Sequence, residues 1–594
     1  MGKLLSKDRH QSRGANRARK SELRNPTMRY VLACLVLVLF VPTHLTLAAT
    51  HSETPIRHDA EHSVLLPQNA AVWVKDDAAV ESKLKQVRES NGGKRPNIVF
   101  ILIDDMGFGT MGSKQMNYVN GYATPNINKL AEQGLSLMRM YSEPSCTPTR
   151  AAFSTGRYAV RTGMNEAKAD LAGEGLSEDE VTIAEVLSAS GYNTVHIGKW
   201  HLGDIEQAWP HNQGFDYAEF PVHQQGQLAI MHEDAEDAGI IRSRSKKSHS
   251  DQFILDYTFR PNPAHLVTAL VAKKGEQAEE VHIKTGEAWS EKKYREMNLR
   301  YQDHTIEQLR RLAKEDEPFF LQYWPLYPLT FVRSGISQAT SRNGGTMAES
   351  MQEVDRWIGD ISQELRNLGI AENTLVVLMG DNGPFMQFLS TTGQSDRIYR
   401  GGKANHLEGG VRVDAFAWWP GVIKAGTTAG DLIHVSDLFT SFARIAQATD
   451  HIPRDRIIDG VDQAPVFLLG ENHGRRDYVF IYEGPVLKSV VKEHYKLHVP
   501  APGQNPIAAP IFDLLRDPRE ERGLHSANSA RYGVWTAAKF VEMLQRHMVM
   551  KMKYPDRPSV RSKPYTGITN LRPETVSLRD TFMSKNAILL QPRK

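Results

Sequence analysis

The stretch Pro96-Asn-Ile-Val-Phe-Ile-Leu-Ile-Asp-Asp105 decides the fold class. Six consecutive apolar residues, Ile98 to Ile103, do not alternate with polar ones. A strand with water on one face would show alternation, so this one is expected to be covered on both faces, as in a parallel sheet sandwiched by helices. It runs directly into Asp104-Asp105 and then Met106-Gly-Phe-Gly109. Downstream the pattern repeats. Thr124-Pro-Asn-Ile-Asn-Lys-Leu-Ala-Glu-Gln-Gly134 carries a Thr cap, a Pro at the first helical position and a terminal Gly. Thr182 to Ser190 reads as a helix, Gly191 ends it, and Asn193–Ile197 reads as the next strand. A helix over 347–368 stops at Gly369, before the strand Thr374–Met379. This alternation predicts an α/β fold: a large, mixed, mostly parallel sheet between helix layers.

The rest of the chain is organised around that sheet. The 594 residues are 40% hydrophobic and 24% charged, with a mean hydropathy of −0.44. Such a chain is too polar for a multi-span membrane protein and large enough for two domains. Two cysteines exclude a disulfide scaffold and a Cys-rich zinc module. The net charge is +3, but residues 1–29 hold nine Lys/Arg against Asp8 and Glu22. The remainder is therefore about −4 by subtraction, which is no footprint for nucleic acid. After the basic stretch come Tyr30–Val41, an apolar run, and Leu47-Ala-Ala49. Residues 1–49 thus read as a basic segment plus signal peptide, with Met28 as a compact start. The chain is expected to be exported, periplasmic or secreted, with a membrane anchor as the alternative if the segment is not cleaved. Cleavage would remove Cys34 and leave Cys146 as the one cysteine.

Residues 50–94 read as a polar, irregular extension or linker, and 95–475 as the catalytic domain. Residues 222–300, which include Arg242-Ser-Arg-Ser-Lys-Lys247, read as an insertion. Residues 476–594 read as a smaller C-terminal α+β subdomain and basic tail. Strand candidates there are Tyr478–Tyr482 and Ser489–Val499, followed by a helix over 534–551. Residues 501–594 carry 16 Lys/Arg against 8 Asp/Glu.

Chemistry-bearing residues cluster where strands end, the place where α/β sheets build sites. Asp104 and Asp105 follow one strand; Gly380-Asp-Asn-Gly383 follows another. Two Asp plus Asp381 and Asn382 make an all-oxygen set suited to Ca²⁺ or Mg²⁺, the alternative being a pair of Asx turns or helix caps. In Ser145-Cys-Thr-Pro-Thr-Arg150, Pro148 suits a first helical turn. That places Cys146 at a helix N-terminus, which favours an anion. Arg150, one turn on, can hold sulfate or phosphate oxygens in a bidentate manner. Gly198-Lys-Trp-His-Leu-Gly203 follows a third strand, and alternation puts Lys199 and His201 on one side. Gly401-Gly-Lys403 precedes Glu408-Gly-Gly-Val-Arg412.

C-x-P-x-R followed by A-A-x-x-T-G-R resembles the signature of the type I sulfatases, within the alkaline phosphatase superfamily. The other motifs fall in the same family order, and Asp459-Gly-Val-Asp462 and Phe512–Asp517 are similar to later landmarks. The resemblance spans about residues 96–525 and implies a sulfuric ester hydrolase. On that pattern Cys146 becomes formylglycine through a separate maturation enzyme, and its hydrated aldehyde supplies the nucleophile. Asp104, Asp105, Asp381, Asn382 and the modified Cys146 hold one divalent cation, most often Ca²⁺. Arg150 helps hold the hydrate, Lys199 and Lys403 grip sulfate oxygens, and His201 orients the hydrate. The implied substrates are sulfate-ester small molecules or sulfated saccharides. A phosphonate monoester or phosphodiester hydrolase, and a degenerate sulfatase that binds sulfated glycans, are the alternatives. Two departures stand out. Leu326 falls where the family pattern has a histidine near the leaving oxygen, so Tyr327, His406 or a good leaving group would have to compensate. Asp414 stands where the family often has proline.

Overall fold

A computed structural model of the chain describes residues 55–168, 172–222, 267–282, 291–326, 345–384, 398–500, 509–524 and 530–565. The basic and apolar N-terminal segment, the 242–247 run and Tyr327 lie outside these residues. Among the described residues no helix is long and apolar enough to cross a membrane.

Asn97–Ile103 is a central strand of an 11-stranded mixed sheet. It pairs in parallel with Phe319–Trp324 on one side and Thr374–Gly380 on the other. Asn193–Gly198 and Tyr217–Phe220 extend the parallel region. Antiparallel pairings finish both edges: Ala415–Trp418 against Thr374–Gly380, and Val267–Lys273 against Tyr217–Phe220. The apolar run has its expected cause. Ile98, Phe100 and Leu102 point into one hydrophobic cluster, and Val99, Ile101 and Ile103 into another on the opposite face. Every residue of the strand is buried.

Helix signals also translate directly. Pro125–Glu132 begins at Thr124 with Pro at its first position. Ile183–Ala189 begins at Thr182, whose side chain and Glu185 form a reciprocal capping box. Gly345–Asn367 ends just before Gly369, which sits at φ +70°.

Three readings need correction. Residues 60–90 are not irregular: Ala60–Ser90 is a 31-residue helix. Leu65, Trp73, Val80, Leu84 and Val87 bury a narrow stripe along it. Part of the 222–300 segment belongs to the main sheet, because Val267–Lys273 and Glu279–His282 form a hairpin on its edge. Ser489–Val499 is not one strand. It breaks at Glu493, which has φ +54°, into Val486–Lys492 and Tyr495–His498.

These two strands, with Tyr478–Glu483 and Ile511–Asp513, make a four-stranded antiparallel sheet. One face carries Tyr478, Phe480 and Tyr482 against Phe540 and Met543 of the helix Ala530–Lys553. The other packs Val479, Ile481 and Val491 on Tyr141, Val411 and Leu432 of the main body. Pro55–Lys594 therefore forms one compact unit, and the C-terminal sheet is built into it.

Candidate active site

Four neighbouring parallel strands end together, and three of them deliver chemistry-bearing loops to one place. Ile103 is in register with Gly380, and Gly198 with Trp324, so Asp104, Asp381 and Lys199 emerge side by side. The approach is tight. A Cβ on Gly380 would lie 1.9 Å from the Met106 carbonyl oxygen, so only glycine lets the two loops meet. Gly198 turns out of its strand at φ +104°.

Cys146 is the first residue of the helix Cys146–Thr155, which Ser145 enters in extended conformation. Ligand atoms of Asp104, Asp105, Cys146 and Asp381 all lie within 4.8 Å of one another, and all four residues are buried. The Cys146 Sγ is 3.7 Å from Asp105 Oδ1. That carboxylate oxygen also receives Lys403 Nζ at 2.7 Å and Asn382 Nδ2 at 2.8 Å. Asp104 Oδ1 takes Lys199 Nζ at 2.5 Å and lies 3.5 Å from the Arg150 guanidinium. Arg150 donates to Asp381 Oδ2 at 3.0 Å and lies over the Trp324 ring at 4.7 Å. The Asp105 N–H donates to Asp381 Oδ1 at 2.9 Å, and Asp105 itself is held at φ +55°. Thr149 donates to the Asp381 carbonyl at 2.6 Å.

This centre has the features of a cation site. Burial alone would raise the Asp104 carboxyl, yet Lys199, Lys403 and Arg150 hold it well below the usual range. Burial and the Asp104 charge push Asp381 up to about 7. Asn382 spends its amide N–H groups on Asp105 and Gly383, and its buried Oδ1 accepts nothing among the described residues. Crowded carboxylates and an orphan amide oxygen are what a hard divalent cation would satisfy. Burial and Asp104 also drive the Cys146 thiol far up, so it stays protonated. A bare cysteine here is a poor nucleophile, since the thiolate is the reactive form.

His201 stands at φ +58°, beyond the reach of strand alternation. Its Nε2 donates to the Lys168 carbonyl at 3.1 Å, and its carbonyl accepts from Thr147. Burial and Lys199 keep the ring neutral, with buried Nδ1 unpartnered among the described residues. The Nε2 bond makes Nδ1 the lone-pair side.

All nine site residues read from the sequence are thus gathered around one centre. Thr149 and Trp324 were missed, although Thr149 lies inside the C-x-P-x-R motif. Leu326 is fully buried in the hydrophobic cluster under the sheet, so its side chain belongs to the core and not to the site. Asp414 gains a clear role. Its carboxylate collects the N–H groups of Gly109 at 3.0 Å, Thr110 at 2.8 Å and Met111 at 2.9 Å, pinning the loop that follows Asp105.

Residues 96–448 match the family described as Sulfatase. The chain is 31% identical over 419 residues to mouse N-acetylgalactosamine-6-sulfatase, covering 68% of this chain and 72% of that one. It is 34% identical over 394 residues to human arylsulfatase A, covering 65% and 70%. Among solved structures, the PsFucS1 sulfatase from Pseudoalteromonas sp. superposes with a TM-score of 0.69 at 28% identity. That alignment covers 82% of this chain and 96% of the other.

Proposed function

The chain belongs to the sulfatase family and is a sulfuric ester hydrolase, and from that premise we propose how its residues divide the work. Cys146 is converted to formylglycine by a maturation enzyme during export, and the hydrated aldehyde offers the attacking oxygen. The buried thiol supports this reading, because burial and the Asp104 charge raise its pKa and leave the unmodified side chain a poor nucleophile. Asp104, Asp105, Asp381 and Asn382 hold one divalent cation, with Ca²⁺ favoured by the all-oxygen donor set. When bound, that cation acidifies the attacking hydroxyl and offsets the charge of the ester.

The chain's own groups do the rest. Arg150, fixed by Asp381 and Trp324, orients the residue at position 146. Lys199 and Lys403 each approach a metal-site carboxylate and present positive charge to the sulfate oxygens in a dry pocket, where it counts most. His201 Nδ1 would accept the proton of the hydroxyl that remains on residue 146 as the C–O bond to the sulfate ester breaks, so that the aldehyde reforms and sulfate departs with the electron pair. The substrate is a sulfate ester, and sulfated saccharides are the class favoured by the relative named for a sulfated amino sugar.

The buried cluster of three aspartates around Cys146, with the orphan Asn382 oxygen beside it, carries this reading. It is tested by mass analysis of the peptide containing Cys146, from protein exported by a host with formylglycine-generating capacity. Aldehyde in place of thiol, together with metal-dependent turnover of 4-nitrophenyl sulfate, is the expected result. An intact thiol in active protein would overturn it.

A further inference from the structure

The rim of the site carries a histidine that the sequence offers as one stand-in near the leaving oxygen and that the division of work above leaves unused. His406 lies three residues beyond Lys403, on a loop closed by Ala404 N–H donating to the Pro144 carbonyl at 2.6 Å, two residues before Cys146. The tip of the C-terminal hairpin reaches the same rim. Glu483 ends the strand Tyr478–Glu483, and a Cβ on the next residue, Gly484, would lie 2.6 Å from Glu166 Oε1. Glu166 precedes by two residues the Lys168 carbonyl that orients His201. The hairpin tip therefore bridges the loop after the Cys146 helix and the loop that carries Lys403.

Across that bridge, Glu483 Oε1 accepts both the His406 N–H at 2.8 Å and His406 Nδ1–H at 2.6 Å. Two bonds from one oxygen fix the ring's position and tautomer, as a carboxylate does for a catalytic imidazole. The side chain is 20% exposed. Both of these bonds use the backbone N–H and Nδ1, and among the described residues no hydrogen bond from Nε2 accompanies them.

We propose that His406 is the general acid for the leaving oxygen, with Glu483 as its positioning residue. This deepens the sulfuric ester hydrolase reading and rests on it. As the attacking oxygen bonds to sulfur, the ester S–O bond breaks and its electron pair goes to the leaving oxygen. That oxygen takes the proton from His406 Nε2. The imidazole is left neutral, Glu483 remains ionised, and His406 regains its proton from solvent once the alcohol departs. The charged groups facing this pair are Lys488, 3.9 Å from Glu483 Oε2, and His498, whose ring meets His406 at 4.8 Å. Behind His498 stands Glu520. Burial would raise the Glu483 carboxyl, but its contacts with His406, and the Lys488 charge, hold it below the ordinary glutamate range.

The test uses metal-loaded, matured enzyme and a series of aryl sulfates from 4-nitrophenyl to phenyl and 4-methylphenyl. His406→Gln should lose at least about thirtyfold more kcat/KM on phenyl sulfate than on 4-nitrophenyl sulfate, because acid assistance of about 10²–10⁴-fold matters most for poor leaving groups. The basic limb of the phenyl sulfate pH profile should disappear with it. Glu483→Gln, which keeps an acceptor for His406, should shift that limb to lower pH while the protein stays folded. Equal losses across the series, or an unchanged pH profile, would overturn the proposal. Wild-type enzyme inactive on every aryl sulfate and on sulfated saccharides alike would instead defeat the underlying hydrolase reading.

Discussion

Glu520→Gln should loosen the grip on sulfate from a distance, and the size of the effect can be worked out. Glu520 is buried at φ +54° in the loop after Ile511–Asp513. Its Oε1 accepts the Glu408 N–H at 2.6 Å and Lys496 Nζ at 3.3 Å, and its Oε2 pairs with His498 at 2.5 Å. Its carbonyl accepts from Arg400 at 2.7 Å. One residue thus clamps both ends of the 400–408 loop, and Lys403 lies between them. Burial would raise this carboxyl, but Lys496 and His498 bring it down to about 2, from an ordinary 4.5. That gap corresponds to about 3 kcal/mol, in line with the roughly 3–5 kcal/mol lost when one partner of a buried ion pair is removed. Because the folded-state value is depressed, the stabilisation is complete above about pH 4.5 and disappears as pH falls toward 2. Urea unfolding followed by tryptophan fluorescence should show Glu520→Gln less stable by about 3 kcal/mol at pH 7 and by about 1 kcal/mol at pH 3. At pH 7 the folded variant should bind inorganic sulfate, as a competitive inhibitor, about tenfold more weakly, equivalent to about 1.4 kcal/mol. A stability gap that does not change with pH would refute the charge argument. An unchanged inhibition constant would refute the clamp.

Other consequences are equally direct. Burial raises Glu143 to about 8, and among the described residues its carboxylate takes one backbone donor, Ala159 at 3.2 Å. Wild-type stability should therefore fall as pH climbs from about 4.5 to 8, and Glu143→Gln should gain on it by up to about 4 kcal/mol by pH 8; melting curves at pH 5 and pH 8 with the same gap would contradict this. Chelation with EDTA should abolish aryl sulfate turnover and lower the melting temperature, Ca²⁺ should restore both, and Asp105→Asn should lose the Ca²⁺-dependent rise in melting temperature. Asp414→Asn leaves at least one of three buried N–H groups facing an amide NH₂, at a cost of about 2 kcal/mol. It should also weaken Ca²⁺ binding measured by calorimetry, since the freed loop carries Asp105; unchanged affinity would limit Asp414 to stability.

The metal cluster was legible because each ligand directly follows an apolar strand, and strand ends in an α/β sheet converge whatever lies between them. Cys146 was legible for a similar local reason: Pro148 marks a helix start. Pairings were not. That Lys199 meets Asp104 while Lys403 meets Asp105 depends on loops 95 and 298 residues apart in sequence. The helix Ala60–Ser90 stayed hidden because its buried stripe, with spacings such as Val80, Leu84 and Val87, is diluted by Gln68, Asn69, Lys75, Asp76 and Asp77. Its apolar face is narrow enough to resemble a linker. Leu326 misled in the opposite direction: a motif comparison assigns it to the site, while the strand it follows carries it into the core. The C-terminal sheet looked like a separate subdomain because its strands are short and local. Its outer contributions, Glu483 and Glu520, become visible only when its face is seen packed on the catalytic loop.

The charges at the centre constrain what the pocket accepts. Asp104, Asp105 and Asp381 carry three negative charges when they hold a cation, and Arg150, Lys199 and Lys403 carry three positive ones. His201 is neutral. These groups balance, so a divalent cation sets the centre's charge at +2. A sulfate monoester brings −1 and leaves the pocket attractive to electrons that accumulate on the transferring oxygens. A phosphate monoester at −2 would cancel the field before reaction, while a phosphodiester or phosphonate monoester shares the charge of the sulfate ester. Membership of the sulfatase family selects sulfate among these singly charged esters. The same balance has a cost at the end of the cycle. Inorganic sulfate leaves as a dianion and meets the +2 centre more strongly than the ester did, so product release is opposed by the field that assists the chemistry. The Lys403 loop is where that opposition can be tuned, because it is tethered at both ends by Glu520 and sits at the solvent side of the cluster. On the role proposed for Lys403, a clamp that holds it firmly favours the reaction and slows departure, and the loop after the C-terminal sheet, which supplies Glu520, ties that sheet to turnover.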